Sequence, residues 1–146
     1  MSDYKNVLVA LDLMGDHEHV LLKALAVTKA DAKINLIYVN EPVYVGEMVY
    51  AASVDFERQA AESARQQFDK LGEEFGIPAD QRFIETGRSA AEIHRKAKEL
   101  EVDLIVVGSH GRHGLQLLLG STANSVLHGA LSDVLAVRLL GETIEG

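Results

Sequence analysis

The chain has 146 residues, 47% hydrophobic and 25% charged, with a formal net charge of −8 and no cysteine. That length suits one domain, residues 1–146, with a sizeable core, while the acidity argues against a nucleic-acid surface, which needs a basic stripe. Disulfides and thiolate chemistry are excluded, no apolar run reaches the ~18 residues of a membrane span, and Met1-Ser-Asp-Tyr-Lys lacks a signal peptide's layout, so a cytoplasmic location is expected.

Asn6 to Leu11 (Asn-Val-Leu-Val-Ala-Leu) is a continuous apolar run, the pattern of a strand buried on both faces. Asp12 follows it, and Gly15 and Asp16 close a turn in which Asp16 is placed to cap the next helix. His17 to Lys29 repeats Val20, Leu21, Ala24, Leu25 and Thr28 at helical steps. Lys33 to Val39 reads as a second strand, ended by Pro42. Glu41 to Ala52 has no period and reads as a long surface loop or lid containing Tyr44, Met48 and Tyr50.

From Ser53 to Phe75 a long helix is predicted, with Phe56, Ala60, Ala64, Phe68, Leu71 and Phe75 on one face. Gly76 is its stop and Pro78 follows. Arg82 to Thr86 is a third strand, turned by Gly87, and Ser89 with Glu92 forms a capping box opening a helix to Leu100. Leu104 to Val107 is a fourth strand, Ser121 to His128 a helix, and Val134 to Val137 a fifth strand before a frayed tail from Gly141. Strands alternating with helices predict an α/β fold: a doubly wound, five-stranded parallel sheet with helices on both faces. Ligands of such sheets sit beyond the carboxyl ends of the strands, where the winding reverses. Asp12, Val39 and Gly108 all fall at such ends.

The stretch from Val107 to Ser121 carries four glycines, Gly108, Gly111, Gly114 and Gly120. A strand-to-helix connection usually takes about two to six residues, and this one takes roughly twice that. Glycines admit close approach of main-chain N–H groups, and a helix N-terminus behind them presents unpaired donors, which together suit a phosphate. The P-loop pattern, the dinucleotide Gly-x-Gly-x-x-Gly and the Gly-x-Ser-x-Gly nucleophile elbow are all absent. A phosphoacceptor receiver is also disfavoured, since only Asp12 of its acidic constellation is in place. What remains is Gly108-x2-Gly111-x8-Gly120-Ser121.

In these residues the chain resembles the universal stress protein family. The likeness rests on Val-Gly-Ser-His-Gly from Val107 and Leu-Leu-Gly-Ser from Leu118, and it runs from Val-Leu-Val-Ala-Leu-Asp near the start to Asp-Val-Leu-Ala-Val-Arg near the end. The resemblance implies the adenine nucleotide alpha hydrolase-like sheet, strand order 3-2-1-4-5, and a member that keeps the nucleotide-binding glycines. It implies ATP, or ADP or AMP, held with Mg2+ or Mn2+. Asp12 would meet the adenine and ribose, Val39 the adenine edge, and Val107, Gly108 and Gly111 the ribose and phosphates. Gly120, Ser121 and Thr122 would cradle the phosphates, with the Ser121 hydroxyl donating. The spacing between Gly111 and Gly120 is one residue shorter than the family's, which Gly114 is placed to absorb. A homodimer through the last strand (Val134 to Val137) and a regulatory protein partner of unknown identity are further implications.

Asp12 also suits a simple turn cap, and Arg112 suits either a phosphate tail or solvent. His110 and His113 lack an orienting partner in the pattern and read as surface or packing residues, as do His17, His19, His94 and His128. Leu117 to Leu119 reads as an anchor for the loop. The functional expectation is a regulatory module that holds ATP. The alternatives are a slow ATPase or phosphotransferase on the same pocket, and a dimeric scaffold that binds no nucleotide.

Overall fold

The computed structural model describes residues 4–12, 17–40, 51–110 and 121–139. β1 (Asn6–Ala10) lies at the centre of a five-stranded parallel sheet and pairs with both β2 (Lys33–Asn40) and β4 (Leu104–His110). β3 (Arg82–Thr86) extends the sheet beyond β2, and β5 (Asp133–Leu139) extends it beyond β4, giving the order β3-β2-β1-β4-β5. The chain therefore steps outward twice through α1 (His17–Ala26) and α2 (Ala51–Glu74). It then crosses back through α3 (Ser89–Leu100) and steps outward again through α4 (Ser121–Gly129). Right-handed crossovers in opposite directions put the two helix pairs on opposite faces.

Two packed layers follow. Val7, Val9 and Leu11 meet Val20, Leu21 and Ala24 of α1 and Phe68 and Leu71 of α2. On the other face Leu8, Ile37, Ile105 and Val107 meet Ile93 and Ala97 of α3 and Ala123 and Val126 of α4. Alternate residues of β1 thus serve opposite layers, the reason its run is apolar throughout. No helix among the described residues is long and apolar enough to cross a membrane.

Several predicted boundaries move. β4 runs to His110, with Gly108, Ser109 and His110 paired to Val137, Arg138 and Leu139, so Gly108 is a strand residue and not the start of a loop. α1 ends at Ala26 rather than Lys29, and Thr28 turns its hydroxyl back to the Ala24 carbonyl at 3.0 Å. Ala60 is exposed, not part of the buried face of α2, which along the described side chains begins to bury only at Ala64 and Phe68. Gly76 stops α2 at φ 70°: Ile77 N–H donates to the Gly72 carbonyl at 2.8 Å and Gly76 N–H to the Glu73 carbonyl at 3.2 Å, satisfying two terminal acceptors.

The Ser89–Glu92 capping box does not form as expected. The Arg88 carbonyl accepts the Glu92 N–H at 2.9 Å, so Arg88 is the N-cap, Ser89 is already helical, and the Glu92 carboxylate goes to Arg95 at 2.7 Å. The predicted Asp16 cap, the segment 41–50, the loop 111–120 and the tail from 140 lie outside the described residues.

Candidate functional site

The reversal of winding falls between β1 and β4. Ala10, the last residue of β1, is in register with Ile37 of β2 and Val107 of β4. Leu11 N–H still donates to the Ile37 carbonyl at 2.9 Å, which carries the chain one step beyond the strand. Asp12, exposed, then stands at the level of Val39 on β2 and just past Val107 and Gly108 on β4. The sheet thus gathers Asp12, Val39, Val107 and Gly108 at its carboxyl edge, on three adjacent strands.

The side chains there differ in what they face. Val107 is buried, and Val39 and Ala10 pack partly against the same layer. α4 begins at Ser121 and runs back over that layer, docked by Ala123 and Val126, so its N-terminus opens at the same end. Thr122, its second residue, is exposed. Gly111 and Gly120 lie outside the described residues, as does the side chain of Ser121.

Two groups at this edge were not singled out from the sequence. Burial first, and the Asp12 carboxylate second, push the Tyr38 hydroxyl above its ordinary 10.0, because both disfavour a phenolate. The Tyr38 ring is held against Phe68 of α2, centroids 6.4 Å apart. His17, the first residue of α1, has its Nδ1 buried without a hydrogen-bond partner among the described residues. Neither carries a sequence signal beyond its place near a strand end. Among the described residues no cluster of three or more His, Asp or Glu side chains is arranged to hold a metal ion.

Comparison with known proteins agrees with this geometry. Residues 3–138 match the family described as universal stress protein. The chain is 42% identical over 145 residues to universal stress protein A homolog 2 of Coxiella burnetii, covering 97% of this chain and 99% of that protein. It is 37% identical to homolog 1 of the same organism, over 92% and 96% of the two chains. The fold matches that of hypothetical protein MJ0577, with a TM-score of 0.75, 23% identity, and 92% and 96% of the two chains covered. It also matches a universal stress protein in complex with cAMP, with a TM-score of 0.59, 23% identity, and 94% and 99% covered. A parallel sheet in the order 3-2-1-4-5, and near-full-length likeness at this level of identity, place the chain in the universal stress protein family.

Proposed function

We propose that the chain holds an adenine nucleotide in the crevice at the reversal point, acting as a stress-response module whose occupancy alters its contacts with a protein partner. The observation that carries this reading is the convergence of Asp12, Val39 and Gly108 on three adjacent strands, with the N-terminus of α4 opening beside them. Crevices of this kind are where open α/β sheets take their ligands, and a helix N-terminus favours the phosphate end. The pattern Gly108-x2-Gly111-x8-Gly120-Ser121 supports it, as does the fold neighbour seen with cAMP.

In this reading ATP, or ADP or AMP, sets its adenine edge against the main chain of Val39 and its ribose against Asp12 and Val107. Gly108 and Gly111 flank the ribose and phosphates, and Gly120, Ser121 and Thr122 receive the phosphates. Asp12 alone does not make a metal cage, so Mg2+ or Mn2+ would arrive on the phosphate oxygens, a common way for Mg2+ to be held. Fast phosphoryl transfer needs an in-line nucleophile, a base and a charge clamp. The pattern supplies a cradle without a base beside it, which favours holding over turnover. The chain is read as one domain working in the cytoplasm, paired through the outer edge of β5.

Calorimetry with ATP and millimolar magnesium, followed by a turnover assay, tests this. Saturable binding with little hydrolysis is expected, and Gly120→Asp abolishes it by setting bulk and negative charge at the cradle. Absence of binding, or unchanged affinity in that variant, removes the proposed site.

A further inference from the structure

A cavity of about 440 Å3 lies at the end of the sheet opposite the reversal point, between the C-terminal half of α3 and the segment leading from α4 into β5. Its floor is apolar: Ala97, Val102 and Ile105. Leu131, 88% exposed, forms one lip. The volume falls within the roughly 300–1,000 Å3 of small-molecule sites, which pair apolar linings with a few placed polar groups.

One wall ties α3 to α4. His94 on α3 donates from Nε2 to the Val126 carbonyl of α4 at 2.8 Å. Its ring lies so close to Gly129 that a β-carbon there would come within 2.3 Å of Cε1. Of the cations on this wall, Arg95 is already engaged by Glu85, Glu92 and Glu99. Lys98 and Glu101 are both exposed, and neither forms an ion pair with the other or with any other described residue. Lys98 lies in the last turn of α3 and Glu101 is its C-cap, three residues on, so both stand on the rim. The Glu101 backbone is left-handed, φ 56°, with its N–H tied to the Ala97 and Lys98 carbonyls.

We infer that this groove is a second ligand site, for a small zwitterion with a large apolar side chain, such as a hydrophobic α-amino acid. Its carboxylate meets Lys98, its ammonium meets Glu101, and its side chain lies on Ala97, Val102 and Ile105. Charge complementarity selects this class: an anionic amphiphile leaves Glu101 opposed, and a cationic one leaves Lys98 opposed. The ends of two helices, α3 and α4, add negative potential that supports the ammonium, while Lys98 supplies the positive charge for the carboxylate. The site is independent of the nucleotide reading.

The chain contains no tryptophan, so L-tryptophan is its own probe, excited where tyrosine does not absorb. Added protein should shift its emission to the blue, saturably and at one site per chain, undisturbed by excess ATP. Tryptamine and indole-3-propionate, each lacking one charge, should bind about tenfold or more weakly. Lys98→Glu should reverse the preference toward tryptamine and Glu101→Lys toward indole-3-propionate; both positions are exposed, so circular dichroism should show the fold retained. No shift at millimolar ligand, competition by ATP, or equal binding of either single-charge analogue would overturn the proposal. So would indifference to both charge reversals.

Discussion

Gly72 sits inside α2, where alanine would ordinarily be better by about 0.5–1 kcal/mol. Here the sign reverses, because a β-carbon at Gly72 would lie 2.3 Å from Nε of Arg82. That guanidinium is pinned: Nε donates to the Ile77 carbonyl at 2.8 Å, and Glu73 and Asp69 flank it at 3.2 and 3.6 Å. Overpacking costs about 1–3 kcal/mol, so Gly72→Ala should lower stability by about 1 kcal/mol net in urea unfolding. Glu101 gives the opposite case. A left-handed backbone costs an ordinary residue about 1 kcal/mol, and glycine nothing. Glu101→Gly should therefore raise stability by about 0.5–1 kcal/mol in the same measurement.

Tyr38 makes a pH prediction. Its proton is held more tightly in the fold than in the unfolded chain, so its contribution is complete below pH 10.0 and disappears as pH rises through the folded value. Tyr38→Phe should remove that alkaline loss. Asp12→Asn should bring the phenol back only part of the way toward 10.0 in a spectrophotometric titration, because burial is the larger cause.

Between elements, the packing of α3 on β3 depends on one nearly buried lysine. Lys96 lies 4.3 Å from the centre of the Phe83 ring, with Glu99 at 3.1 Å and Glu85 at 3.4 Å. Removing one member of a buried ion cluster costs about 3–5 kcal/mol when its partners are left buried and unpaired, and less where they reach water or keep another partner. Glu99 is more than half exposed and Glu85 keeps Arg95 at 3.2 Å, so Lys96→Met should cost about 1–2 kcal/mol, short of the full penalty, and Lys96→Glu should unfold far more readily in denaturant. At the far end of the sheet Asp103 accepts the Lys5 and Asn6 N–H groups at 3.0 and 3.1 Å. Asn35, buried, donates to Asn6 Oδ1 and the Val7 carbonyl. This knot ties the starts of β1, β2 and β4.

Element identity was legible because it follows from local patterning. The apolar runs of β1, β2 and β4 and the Gly76 stop each act within a few residues. Boundaries were less so: β4 reads as ending at Val107, yet pairing with β5 carries it to His110, a long-range gain that composition does not record. The N-cap of α3 shifted for a similar reason, since Glu92 has a better partner in Arg95 than in a capping box. At the proposed site, strand-end position singles out Asp12, Val39 and Gly108, and the sheet sets them on neighbouring strands, with Gly108 inside β4 rather than at its end; Val107 enters through the family resemblance. Tyr38, His17 and the α3–α4 groove were not legible, because they arise from tertiary neighbours far apart in sequence.

For the molecule as a whole, β3 and β5 are the two edges of the sheet. An edge strand presents a row of unpaired backbone groups, and the proposed pairing through β5 would cover one such row. Sedimentation equilibrium should show a dimer, and a concentration-independent monomer would contradict it. The arrangement also separates two ends: the strand ends where the winding reverses, and the groove where α3 and α4 finish. In the proposed reading the nucleotide binds at the first. Backbone amide shifts recorded by NMR during titration with ATP and magnesium locate the ligand directly. The largest changes should fall on Asp12, Val39, Val107, Gly108, Ser121 and Thr122, while Lys98, Glu101 and Val102 stay still. Shifts confined to other surfaces, or none at saturating nucleotide, would contradict the account.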